Sequence, residues 1–206
     1  MTQRVGEVLV MMMSDADLYR LASWSTWVSL VALVISGVAL VIFFAGPGEP
    51  FGSINDAFIA IALIALVPAI LAVDRLAGDH YSPLVRIVTI AAIAGVALAA
   101  VGQVLLILRV ITLEDSYITG GLGILPVLAW FALVAILSLG AHLLPADVGW
   151  LAVVVLLAIV ATSVVATVTM GPVLWITGVA LVVAITAWLA ALALAFAVRI
   201  PTAAFA

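Results

Sequence analysis

Six apolar runs, each long enough to cross a bilayer and none charged in its deeper part, decide what this chain can fold into. A hydrocarbon core about 30 Å thick takes roughly 20 apolar residues per helix. The qualifying runs lie at about 22–45, 57–73, 84–108, 122–144, 149–170 and 173–198. Turn-forming segments separate them: GPGEPFGSIND, DRLAGDHYSP, EDSYITGG, LPADVG, and finally only Gly171 and Pro172. The runs do not alternate in polarity, which excludes barrel strands. Pro68 predicts a kink or tilt in the short second run. With 68% hydrophobic and 8% charged residues, a 206-residue chain has too little polar surface to face water as a soluble domain. The expected fold is all-α: a compact polytopic bundle of six transmembrane helices.

Charge placement gives an orientation. Arg4, Arg20, Arg75, Arg86 and Arg199 fall on one side of the expected spans, and Arg109 alone falls on the other. Positive residues favour the cytoplasmic side, so both termini are expected there, in a prokaryotic cell membrane. Trp24, Trp27 and Trp150 then mark the inner interface, and Phe43, Phe44, Tyr117 and Trp175 the outer one. Residues 1–21 read as a cytoplasmic or interfacial segment, 22–199 as the transmembrane domain, and 200–206 as a short cytoplasmic tail. VLVMMM is too short for a signal-peptide core, and Met11, Met12 and Met13 are alternative starts to Met1.

Absences narrow the chemistry. The chain has no Cys and no Lys, which removes thiol ligands, disulfides and Schiff-base chemistry. His80 and His142 lie near Asp74, Asp79 and Asp147 in the expected loops, a pattern too loose for a metal or haem site. His142 reads instead as an interfacial residue closing the fourth span. No catalytic serine, zinc or phosphate-loop motif is present, and no ionisable residue lies deep in a span as proton relays need. No cofactor, metal or nucleic-acid partner is expected, and an enzyme is disfavoured.

In lipid, helices associate through close packing and a few hydrogen bonds, so small residues three or four apart mark contact faces. Such lanes are Ser25, Ser29, Ala32, Ser36; Ala62, Ala65, Ala69, Ala72; Ala91, Gly95, Ala99; Ala158, Thr162, Ala166, Thr169; and Ala180, Ala184, Ala187, Ala191. Gln103 extends the third lane by one turn. It is expected to face protein, about 9 Å below the outer end of its helix. Two roles are open to it: an interhelical hydrogen bond, or a ligand contact in a cavity.

Antiparallel topology places Asn55 and Asp56 beside Arg109, with Glu114 and Asp115 in the following loop and Thr167, Thr169 and Thr177 approaching from the last two spans. Asn55 or Asp56 is expected to cap the second helix, and Arg109 to pair with one of these acids. This cluster is either a hydrated loop with ordinary caps and a weak ion pair, or an outward cleft with Gln103 at its floor. Trp130 and Trp188 sit nearer mid-membrane, where their indole N–H groups are expected to find Thr or Gln acceptors. Trp130 could also offer an aromatic wall to a ligand.

PFGSIND (Pro50 to Asp56), the isolated Gln103 and ITLED (Ile111 to Asp115) form a pattern. In it the chain resembles a loose group of uncharacterised prokaryotic six-span membrane proteins. They share a PFG-x-x-ND turn entering span two, a Gln late in span three and an acidic residue just after it. The resemblance covers roughly residues 46–140; Arg109 and the long Ala run lie outside the pattern. It implies fold and topology and supplies no activity.

The sequence thus leads to a multi-pass binding or accessory module. Its ligand would be a lipid-like or small apolar molecule, or it would serve a partner membrane subunit. A small uncoupled facilitator of a neutral solute is the second reading, and a membrane-surface enzyme using Asp56, Glu114 or Asp115 the third. Expected partners are membrane lipids, with a homo-oligomer or a larger membrane complex as the possible assembly.

Overall fold

In hydrocarbon every backbone N–H and C=O must be satisfied within its own segment, and a helix does this for each apolar run. The computed structural model describes residues 13–46, 48–78, 82–168 and 172–200. They form α1 (Asp15–Ala45), α2 (Phe51–Ala77), α3 (Ser82–Ile107), α4 (Leu113–Leu139), α5 (Ala146–Val168) and α6 (Pro172–Ala197). All six are long and apolar enough to span a membrane. Each packs on the next, and α6 packs back on α1, which closes the six into a ring.

Neighbours run antiparallel. Ser29 on α1 donates to the carbonyl of Ala62 on α2, and Ser36 donates to Asn55, so α2 numbers fall as α1 numbers rise. The ring closes the same way: Ser23 donates to the carbonyl of Ala193, while Gly37 lies against Val182. We call the end where α1 starts and α6 finishes proximal, and the opposite end distal.

Three boundaries differ from the sequence reading, each for a local reason. α1 starts at Asp15, seven residues before the apolar run, because the Ser14 hydroxyl accepts from the Asp17 N–H and caps the helix there. α4 starts at Leu113 because Thr112 and Asp115 form a reciprocal capping box. Much of EDSYITGG is therefore helix. α2 starts at Phe51, capped by neither Asn55 nor Asp56, because Pro50 precedes it and Asn55 already lies a turn inside. The same helix runs through Pro68 without ending.

Packing is densest in the proximal half. Trp130, Phe131, Val134 and Leu137 of α4 meet Trp188, Leu192 and Phe196 of α6, with Ile70 and Val73 of α2 beside them. Trp130 and Trp188 are fully buried and meet edge to face, with centroids 5.6 Å apart. Phe131 closes on Trp188 at 4.5 Å. The expected acceptors are not there: neither indole N–H has a partner among the described residues. Ring edges against ring faces take the place of hydrogen bonds in this layer.

Polar ties at the proximal end join neighbouring helices. Arg75 bonds Asp15 at 2.8 Å, and both Arg86 and Thr89 donate to Asp74 at 3.2 Å. Arg199 donates to the Leu143 carbonyl. Trp24 and Trp150 are exposed here, as an interfacial belt requires.

A close backbone approach joins α3 to α4. A Cβ added at Gly95 would collide with the Gly123 carbonyl oxygen, and one at Gly123 would stand 2.7 Å from the Gly95 oxygen. Ala99 and Pro126 flank the contact, so the third lane is a true contact face. The lane read on the last helix is one only in part: Ala184 is buried and Ala191 packs on the core beside Trp188 and Leu192, whereas Ala180 and Ala187 are exposed. Gly95→Ala is expected to destabilise the protein by about 1–3 kcal/mol through overpacking. Gly178→Ala, with open space around the added methyl, is the control and should not. Reversible unfolding in micelles checks this, and equal midpoints for the two variants would refute the contact.

Candidate functional site

Two helices that touch at one point diverge beyond it, and the distal side of the Gly95–Gly123 contact is a cavity of about 610 Å³ between α1, α2, α3 and α4. Its size follows from sequence. α4 presents Gly120 and Gly121 to it, and a side chain at either would meet open space. Gln103 faces them from α3, and Leu40 and Phe43 close the α1 side.

The α2 wall is built by hydrogen bonds. Ser36 on α1 donates to the Asn55 Oδ1 at 2.7 Å, and both residues are buried. That bond holds the Asn55 amide, whose Nδ2 donates to Asp56 Oδ1 at 3.0 Å. Asp56 is thereby fixed at the cavity as a half-buried carboxylate. One turn earlier, the Ser53 hydroxyl and backbone N–H donate to the Glu49 carboxylate at 3.1 and 3.3 Å. Glu49 and Ser53 also line the cavity.

Gln103 stands out. Its Oε1 is shielded from solvent and accepts no hydrogen bond among the described residues. A buried unsatisfied carbonyl costs about 1–3 kcal/mol, and this oxygen fastens Gln103 to no neighbouring helix among the described residues. It is an acceptor with no partner, on the wall of a cavity.

Arg109 closes α3. Its N–H donates to Leu106 and the N–H of Val110 to Leu105, a Schellman arrangement. The position following the helix is one where glycine is favoured, and Arg109 takes it with φ 57°. A non-glycine residue held left-handed is destabilised by about 1–2 kcal/mol. Arg109 makes no salt bridge among the described residues, contrary to the pairing expected for it. Asp56 and Glu49 are instead held by Asn55 and Ser53, which leaves the guanidinium exposed at the cavity rim.

Asn55, Asp56, Gln103 and Arg109, four residues singled out in the sequence, thus share one cavity. Glu114 and Asp115 do not line it. Both lie exposed on the first turn of α4, where Asp115 accepts from Thr112. Trp130 belongs to the proximal core. Thr177 lies on α6, its carbonyl accepting from Thr162 across the α5–α6 contact. Thr167 is in α5 with its side chain outside the described set, and Thr169, Asp79 and His80 lie outside the described residues. His142 is an exposed loop residue after α4 with φ 55°. No group of three metal-ligating side chains occurs among the described residues.

Sequence reasoning missed Ser36 as the partner of Asn55, although it had placed Ser36 on a contact lane. Glu49, Ser53 and Ser116 were missed too; their only signal was proximity to PFGSIND and ITLED. Comparison of the chain with models of known families, with curated proteins and with solved structures finds no match to any of them.

Arg109→Gly should remove the left-handed strain and raise unfolding stability by about 1–2 kcal/mol. Chemical unfolding in micelles measures it. A destabilised variant would mean that the guanidinium holds structure rather than waiting at the rim.

Proposed function

We propose that this membrane protein is a binding module whose distal cavity takes the polar part of a lipid-like molecule. The carrying observation is the unpartnered Gln103 Oε1 on the wall of a 610 Å³ space that also holds Asn55, Asp56 and Arg109. A shielded acceptor without a protein partner at a cavity is a group that a ligand's donor can satisfy. Further support comes from Arg109, which keeps an unfavourable backbone conformation while its guanidinium has no salt-bridge partner among the described residues.

The fit is to an amphiphile rather than to a fully apolar guest. Both charge signs and several hydrogen-bonding groups line the cavity, beside Leu40, Phe43 and Phe44. The facilitator reading gains less support, because a solute entering distally would meet the packed Trp130, Phe131 and Trp188 layer.

Mass spectrometry of molecules co-purifying with wild type, Gln103→Leu and Gly121→Leu tests the reading. One lipid class should fall by about three- to tenfold with Gln103→Leu, the worth of one hydrogen bond in a membrane. Gly121→Leu, which fills the cavity, should deplete it further. Identical profiles in all three proteins would overturn the proposal.

We place the distal end outside a prokaryotic cell membrane, with both chain ends in the cytoplasm. Support comes from Arg20, Arg75, Arg86 and Arg199 at the proximal end against Arg109 at the distal one. The chain has no native Cys, so Glu114→Cys should react with an impermeant maleimide in intact cells, and Ser14→Cys only after lysis. The reverse pattern would invert the topology.

A further inference from the structure

A second space opens beside the cavity. It measures about 880 Å³ and is lined by α1 and α6, with Thr162 contributed by α5. Its walls are apolar: Val34, Val38 and Val41 on one side, and Val179, Val182 and Val183 on the other. The hydroxyls on it are already used, Thr162 donating to the Thr177 carbonyl and Thr186 to the Val182 and Val183 carbonyls. Nothing along this groove asks for a polar guest.

The two spaces adjoin in one place, where they share a wall. Leu40 and Phe44 line both, so cavity and groove meet over the last turns of α1. No α1 residue beyond Ala39 is buried. From Phe44 back to Val34 the groove follows about 15 Å of helix. That is half of a hydrocarbon core about 30 Å thick, the depth of one leaflet. A single lipid chain in the distal leaflet has this reach and this chemistry.

The headgroup end is specified by charge. Glu49 and Asp56 offer carboxylates held by Ser53 and Asn55, while Arg109 offers a guanidinium without a salt-bridge partner among the described residues. Guanidinium pairs with phosphate through parallel hydrogen bonds, and carboxylates pair with an ammonium. A headgroup carrying both charges satisfies both sets. A purely anionic headgroup would satisfy Arg109 alone and leave Asp56 and Glu49 without a counter-charge.

Resting on the ligand reading of the cavity, we infer that cavity and groove form one bipartite site for a zwitterionic phospholipid with a primary ammonium. Its phosphate lies at Arg109, its ammonium at Asp56 and Glu49, and one acyl chain crosses Leu40 and Phe44 into the α1–α6 groove. Gln103 Oε1 accepts from the headgroup.

The test is native mass spectrometry of the purified full chain titrated with lysophosphatidylethanolamine carrying a hexanoyl or a palmitoyl chain. Wild type should bind the palmitoyl form at least about tenfold tighter. Gly178→Leu, which places a side chain in the groove, should erase that preference and leave hexanoyl binding unchanged. Val41→Trp, at an exposed groove position, is the second variant, and both are first matched to wild type for unfolding midpoint. Gln103→Leu should weaken both lipids by the same factor.

If Gln103→Leu weakens both lipids while both groove variants keep the palmitoyl preference, the chain assignment is overturned and the cavity reading stands. If no variant alters either lipid, both readings fall. Palmitoyl lysophosphatidylglycerol should bind at least about tenfold more weakly than its ethanolamine counterpart. Equal binding would overturn the zwitterion assignment alone.

Discussion

The approach of α3 to α4 at Gly95 and Gly123 is the constraint from which the distal architecture follows. Lipid offers helices no hydrophobic reward for touching one another, so contact is bought by shape. Here two backbones come together where neither carries a side chain, with Ala99 and Pro126 filling the edges. Helices fixed at such a point must separate away from it. On the proximal side the gap is filled by large side chains, Trp130 and Phe131 among them. On the distal side α4 continues with Gly120 and Gly121, and the gap stays open. Gln103 is where α3 faces that opening.

α1 serves the two halves differently. Its Ser and Thr residues secure it by hydrogen bonds to carbonyls: Ser23 to α6, Ser29 to α2, and Thr26 to Ala22 in its own helix. Ser36 is the last of this series, and its acceptor is a side chain. The bond to Asn55 therefore does double service, joining α1 to α2 and orienting the amide that holds Asp56. Beyond Ala39, one turn further on, α1 has no buried residue, and both spaces open there.

Span number and the small-residue lanes of the first three helices were legible in the sequence, because apolar length and small-residue spacing are local signals. The ends of α1, α2 and α4 were not, because caps such as Ser14 and Thr112 compete with polar composition that reads as loop. The α6 lane was legible only in part, because abundant Ala makes lanes on every side: Ala184 and Ala191 pack on the core beside Trp188, while Ala180 and Ala187 are exposed. At the site, Gln103, Asn55, Asp56 and Arg109 were visible as isolated polar residues near one membrane face. Ser36 was legible only as a packing residue, since its role depends on the register of α1 against α2. The unpaired states of Gln103 and Arg109 could not be read at all. An unpaired group is a statement about neighbours, and neighbours come from the fold.

The proximal aromatic layer and the distal hollows make the two leaflets unequal environments for this bundle. A packed interior resists compression, whereas a voided one yields by closing its voids. Lateral pressure from the proximal leaflet acts on a stiff wedge of interlocked indole and phenyl rings, set edge to face or tilted. The same pressure in the distal leaflet acts on helix ends with room to move inward. The bundle is thus mechanically polarised across the membrane, and a change in lipid packing confined to the distal leaflet would narrow the cavity while leaving the other half undisturbed.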